Sequence, residues 1–344
     1  MNYNVYVTIS GEDRIARYVM DSASGLLTAR GDVPLPGEPG PVAISPDRRF
    51  MYVAQRGSCH LTSFCINPAD GGLTKLGTIP LESDPCYMAT DRTGGFLLSA
   101  YYMAETAAVH RIDGDGAVAH PPIEWRHTGQ GAHCFQTDRS NRHAFVAHVA
   151  ARRSVNAVFQ FRFDAESGQL TPNEPARFSA SSMAGPCHFC FDPTKNFFYV
   201  SNEQGSSVTV CALDATRGTL THLQTLPTLP EDWSGDSRCG QIQITPCGRF
   251  LYAPNRGHDS IAEFSVDQNS GILMPLGHTP AESSPRALAL DPKGRFLLSA
   301  GFLSGHLSVY RIDNETGRLD GGLDRRTRYN VGSKPMWVSI VPSA

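Results

Sequence analysis

The sequence predicts an all-β protein: a seven-bladed β-propeller whose ring is closed by pairing of N- and C-terminal strands in one blade. Three observations predict it. One motif recurs as a turn, an aromatic residue and an apolar strand. It reads Ser45-Pro46-Asp47-Arg48-Arg49-Phe50, Asp192-Pro193-Thr194-Lys195-Asn196-Phe197, Thr245-Pro246-Cys247-Gly248-Arg249-Phe250 and Asp291-Pro292-Lys293-Gly294-Arg295-Phe296. Proline and glycine at these turns fit hairpins rather than helices. The aromatic acts as a ruler. It stands at Phe50, Phe96, Phe197, Phe250 and Phe296, with His143 in the same slot, in steps of 46, 47, 54, 53 and 46 residues. A second motif, Asp or Asn followed by Gly and an aliphatic, occurs seven times. Dividing 344 residues by seven gives about 49 per copy, close to one four-stranded blade.

Taken in order, Asn4-Val5-Tyr6-Val7-Thr8 is a second strand whose first strand is missing. Tyr18-Val19-Met20-Asp21 and Gly25-Leu26 follow as that blade's outer hairpin. Blade two carries Phe50, then Asn67 and Gly72-Leu73; blade three carries Phe96, then Asp113, Gly116 and Val118. Blade four has His143, Asp164, Gly168 and Leu170, and blade five has Phe197, Asp214, Gly218 and Leu220. Blades six and seven repeat this with Phe250, Asp267, Gly271, Leu273 and Phe296, Asp313, Gly317, Leu319. Pro335-Met336-Trp337-Val338-Ser339-Ile340 is a first strand with no second, so the two ends complete blade one without an open edge. Two stacked β-sandwich domains would need a linker, and no segment reads as one. Residues 1–344 are therefore expected to form a single domain.

Composition narrows the function. Lys plus Arg number 30 against 33 Asp plus Glu, a net charge of -3, which excludes a strongly basic nucleic-acid binder. No apolar run reaches the roughly 18 residues a membrane span needs. No basic, apolar, cleavable leader opens the chain. The nine cysteines then read as reduced thiols in a cytoplasmic protein. Cys187-His188-Phe189-Cys190 has CxxC spacing, but strand alternation sends positions three apart to opposite faces, and no second pair completes a zinc site. P-loop, dinucleotide-binding and His-Glu-x-x-His motifs are missing, so no metal or cofactor is expected.

The ruler aligns equivalent positions. Ten residues before it stand Gly40, Cys86, His133, Cys187, Gly240 and Arg286, with Met336 in the terminal strand. Six after it stand Arg56, Tyr102, Val149, Glu203, Arg256 and Phe302, with Ser10 completing the column. Antiparallel strands start and end on one side, so both columns are expected at one mouth of the propeller. His133, Glu203 and Arg256 come from consecutive blades and offer an imidazole, a carboxylate and a permanent cation. Such a set suits water activation and stabilisation of an anionic oxygen. The commonplace reading is a solvated polar rim. His143 should pack against a turn, His148 should be structural, and the basic loop through Arg152 and Arg153 reads as solvated surface. The insertion from Leu226 to Ser237, with Trp233, is read as a partial lid or a self-packed surface loop.

Gly129-Gln130-Gly131-Ala132-His133, Gly185-Pro186-Cys187-His188 with Asn202-Glu203, and Asn255-Arg256-Gly257-His258-Asp259-Ser260 resemble the seven-bladed propeller lactonase family. That family holds the bacterial propeller-type 6-phosphogluconolactonases and the fungal 3-carboxy-cis,cis-muconate lactonizing enzymes. The resemblance spans essentially the whole chain. It implies catalytic roles for His133, Glu203 and Arg256. Arg286, His188, His258, Cys187, Gln241 and Arg56 are the expected substrate-binding residues. Two segments depart from the family pattern. Cys187 stands where the family carries arginine, and Gln241 and Gln243 stand where relatives carry an acidic residue and a histidine. A thiol cannot replace the planar fork that grips a carboxylate or phosphate. Arg286 or Arg238 is the candidate to supply a cation from another direction.

The implied activity is hydrolysis of a sugar-derived lactone by metal-independent water activation. Muconate-type lactonization on the same site is the first alternative, and a non-catalytic propeller that binds a ligand or partner is the second. The expected partner is a small lactone or carboxylate, with no nucleic acid or membrane, and the chain is expected to be a monomer.

Overall fold

The structure is a computed structural model that describes residues 2–150, 155–325 and 327–343. Arg152 and Arg153 lie outside the described residues. Seven antiparallel sheets follow one another along the chain, each with four strand positions, as a seven-bladed β-propeller requires. Blade one pairs Asn2–Ile9 with Arg14–Asp21 on one side and with Pro335–Pro342 on the other, from Tyr3 opposite Pro342 to Ile9 opposite Pro335. The N- and C-terminal strands thus share a sheet. In blade six the first position is split into Arg238–Cys239 and Gln243–Ile244; in blade seven the last is split into Leu319–Gly321 and Arg328–Asn330.

The chain falls into two compact units: Met1–Pro34, His188–Ala212 and His222–Ala344 in the first, Leu35–Cys187 and Leu213–Thr221 in the second. In the first, Val5, Val7, Ile9, Leu298, Val309 and Val338 form one buried cluster, and Tyr199, Leu251, Phe264 and Leu273 another. In the second, Phe96, Leu98, Phe135, Val146 and Phe161 pack together, as do Tyr52, Leu61, Leu97 and Val118.

The two sequence motifs turn out to be partners in space. Gly116, Gly168 and Gly218 take the left-handed conformation, and a Cβ on each would lie under 3.0 Å from the ring of Phe50, Phe96 and His143 respectively. Gly271, Gly317 and Gly25 stand in the same way against Phe197, Phe250 and Phe296. Each ruler ring fills the space left by the missing side chain of the following blade's turn. Only glycine gives both the conformation and the room. His143 does occupy this slot, beside Gly218.

The turn residue five before the ruler explains itself as well. Its side-chain oxygen accepts the ruler's own N–H: Asp91 from Phe96 at 2.9 Å, Asp291 from Phe296 at 2.7 Å, Ser45 from Phe50 at 2.9 Å, Thr245 from Phe250 at 3.1 Å. Short oxygen-bearing side chains are the ones that reach a backbone donor within a tight turn.

Candidate active site

In several blades the first strand is bulged at the column position. In blade four the register steps between Ala132 and Cys134, so His133 is the extra residue; in blade seven it steps between Pro285 and Ala287, so Arg286 is. In blade one Met336 is skipped in the same way, because Trp337 faces Thr8 and Pro335 faces Ile9. In blade six Gly240, Gln241 and Ile242 oppose only Ala253 and Pro254. A bulge breaks the strict alternation of a strand and re-aims the extra side chain. This is how a repetitive sheet lifts one residue per blade out of its pleat.

Glu203 follows the strand Phe197–Asn202, and Arg256 ends the strand Phe250–Arg256. Their side chains meet: Glu203 Oε1 lies 3.3 Å from Arg256 Nη2 and 3.7 Å from Arg238 Nη1. Arg256 Nη2 also donates to the Cys239 carbonyl at 2.7 Å. With side chains 12% and 18% exposed, Glu203 and Arg256 form a half-sheltered ion pair, whereas Arg238 is 66% exposed. Screening by water is weak for such a pair, and its geometry is fixed by the strand ends. The backbone beneath is tied by Ser201, whose hydroxyl donates to the carbonyl of Gly240 at 2.8 Å.

His258 lies in the turn after Arg256. Its Nδ1 pairs with Ser260 Oγ at 2.7 Å, and the Trp233 ring stands edge-on 4.6 Å away. Burial first, then the nearby His278, lowers its pKa. The insertion therefore packs on this turn rather than only on itself. Asn255 Nδ2 donates to the Thr228 carbonyl, and Gly257, at a φ of +114°, leaves room for the Asp236 carbonyl that any Cβ would strike. His188 lies 6.4 Å from Trp337, ring to ring, and Arg286 stacks over Phe302 at 5.5 Å. The column rule selects Met336 and passes over Trp337, because it counts positions and not the faces a bulge exchanges.

The second unit holds His133, Arg56 and Cys187. The ring of His133 meets the edge of Tyr102 at 6.5 Å. His148 is wholly buried between the Val146 carbonyl and the Thr128 hydroxyl, and burial pulls its pKa down to about 4. Arg56 forms a 2.6 Å ion pair with Asp84, so its charge is already balanced.

Two expected substrate contacts turn inward. Cys187 is 0% exposed, a packed thiol. Gln241 is buried, and its Oε1 accepts the Leu288 N–H at 3.0 Å, bracing the neighbouring sheet. Buried polar groups are normally spent on such bonds, and the Gln241 amide is engaged in this way. Cys190, by contrast, is half-buried against the cluster of Tyr199 and Leu251, so the CxxC cysteines do not share one environment.

Residues 4–340 match the family described as "Lactonase, 7-bladed beta-propeller". The 6-phosphogluconolactonase of Cronobacter sakazakii is 36% identical over 341 residues, 99% of this chain and 98% of that protein. That of Pectobacterium carotovorum is 35% identical over 99% of each chain. Among solved structures, the periplasmic gluconolactonase PpgL of Pseudomonas aeruginosa superimposes with a TM-score of 0.89 over 100% of both chains, at 26% identity. A putative 6-phosphogluconolactonase from Bacteroides fragilis, 22% identical, shares the fold with a TM-score of 0.88 over 99% of this chain and 98% of its own. With its repeat, its closing sheet and these full-length matches, the chain belongs to the seven-bladed β-propeller lactonase family.

Proposed function

We propose that this protein hydrolyses a sugar-derived lactone, as a 6-phosphogluconolactonase-like carboxylic ester hydrolase. Full-length relatives named for that reaction support the reaction class. The observation that carries the site is the Glu203–Arg256 ion pair at 3.3 Å.

In the reaction, water adds to the ring carbonyl, a tetrahedral oxyanion forms, and the ring C–O bond breaks as the leaving alkoxide takes a proton. Arg256 donates to the oxyanion or to a substrate carboxylate. Glu203 holds its guanidinium in place and is the acceptor for the water proton. No metal or cofactor enters this route. Lactones are reactive esters, so a sparse set of groups is sufficient. Muconate-type lactonization and a binding-only role are not favoured, because the relatives are named as hydrolases.

Residues 1–344 act in this reading as one domain and as a monomer, which size-exclusion chromatography checks. Among the described residues no helix is long and apolar enough to cross a membrane. We place the enzyme in the cytoplasm on its nine free thiols, which suit a reducing compartment.

The test is a pH-indicator assay on a panel of phosphorylated sugar lactones, plain sugar lactones and an unsaturated carboxylated lactone. Turnover of at least one by the wild type is expected. Arg256→Ala and Glu203→Gln should each lower kcat/KM by about 10²–10⁴-fold. Absence of turnover on the whole panel overturns the assignment; full activity in Glu203→Gln overturns the mechanism alone.

A further inference from the structure

We infer that Arg238 is a specificity-determining residue that receives an anionic substituent of the substrate, a phosphate monoester or a carboxylate. The inference rests on the lactonase reading above and adds the residue that supplies the charge which Cys187 does not.

Three observations carry it. Cys187 is fully buried, so its position offers a substrate neither a cation nor an exposed thiol. Arg238 and Arg256 are direct cross-strand partners, on the two-residue strand Arg238–Cys239 and the end of Phe250–Arg256. Like charges directly opposite one another destabilise a sheet. Glu203 stands by both guanidinium groups, but one carboxylate against two cations leaves the cluster with a net positive charge. Such an arrangement is worth its cost where an anion completes it.

The two arginines also divide the work. Arg256 is sheltered and engaged by Glu203 and the Cys239 carbonyl, while its buried Nε finds no hydrogen-bond partner among the described residues. Arg238 keeps a 66% exposed side chain. Its backbone is nonetheless fixed. Ser206 Oγ donates to the Ser237 carbonyl at 3.0 Å, and Gly240 N–H bonds the Pro254 carbonyl at 3.2 Å. A pinned backbone with an exposed fork is suited to bidentate capture of a phosphate or carboxylate. Arg286, the other candidate, has its guanidinium laid over the Phe302 ring instead.

The test compares wild type, Arg238→Ala and Arg238→Lys on a phosphorylated sugar lactone, its unphosphorylated counterpart and a carboxylated lactone. Arg238→Ala should lower the kcat/KM ratio of anionic to plain substrate by about tenfold or more, chiefly through KM. Arg238→Lys should fall between, keeping the charge and losing the fork. A drop confined to the phosphorylated or to the carboxylated lactone names the group that is read. An unchanged ratio, or an equal loss on all three substrates, overturns the inference, since Arg238 would then only balance Glu203. If the wild type turns over none of them, the lactonase reading fails separately. Thermal unfolding with inorganic phosphate then decides. A phosphate-dependent rise in Tm that is lost in Arg238→Ala upholds the anion site, and no such rise overturns it.

Discussion

At the scale of single residues, the glycines that end the outer turns make the sharpest prediction. Gly168, which ends an outer turn, and Gly31, within the strand Leu27–Pro34, both have positive φ, +79° and +82°. A Cβ on Gly168 would lie 2.6 Å from the Phe96 ring, while one on Gly31 meets nothing within 4 Å. Gly31→Ala should cost only the backbone penalty, about 1 kcal/mol, and Gly168→Ala that plus overpacking, about 2–4 kcal/mol. Urea unfolding of the two variants checks the difference. His148 makes a second prediction. Its pKa is about 4 when folded, below the ordinary histidine value, so the unfolded chain binds a proton that the folded chain refuses. Its contribution is intact above about pH 6.5 and is lost as the pH falls toward 4, by about 3 kcal/mol in the limit. Wild type should lose more stability than His148→Gln between pH 7 and pH 4, which Tm measured against pH will show.

At the scale of elements, the turn before each ruler is a closed hydrogen-bond circuit. Asp91 accepts from the backbone of Phe96, from Thr93 N–H at 3.0 Å and Oγ1 at 2.6 Å, and from Asn141 Nδ2 at 2.7 Å. That last bond ties one blade's turn to the next. Asp91→Ala leaves the Phe96 N–H and Asn141 Nδ2 buried without this partner and should cost about 2–4 kcal/mol. Asp91→Asn should recover only part of this, because an amide replaces one accepting oxygen with a donor. Chemical denaturation of both variants measures it. The bulges act at the same scale. Removing one residue at a bulge would restore alternation and flip the column side chain, which is why His133 and Arg286 depend on register as much as on identity.

At the scale of the whole molecule, the terminal pairing is the element on which closure depends. Asn2–Ile9 is bonded on one side by Arg14–Asp21 and on the other only by Pro335–Pro342. A chain truncated after Ser333 would leave Asn2–Ile9 as an open, apolar edge, the kind that recruits other chains. It should aggregate, or unfold at least about 10 °C below the full chain, as light scattering and a thermal scan will report. The full chain should show neither effect.

The architecture is legible in the chain alone. Propeller blades are local units, and each turn, ruler and glycine leaves its mark within about 49 residues. Phe96 and Gly168 were visible as two separate periodicities, but their contact was not, because they belong to successive blades and meet only across a blade boundary. The site was legible in part. Glu203 and Arg256 stand in one column, and a column shows equivalence without showing which side chains touch. That Arg238 joins them, that Gln241 and Cys187 turn inward, and that Asp84 neutralises Arg56 emerges from the folded chain alone. The physical reason is the same each time. Backbone position follows from local pattern, whereas the partner of a charge or a buried amide is chosen by residues distant in the chain, and a one-residue bulge is enough to change it.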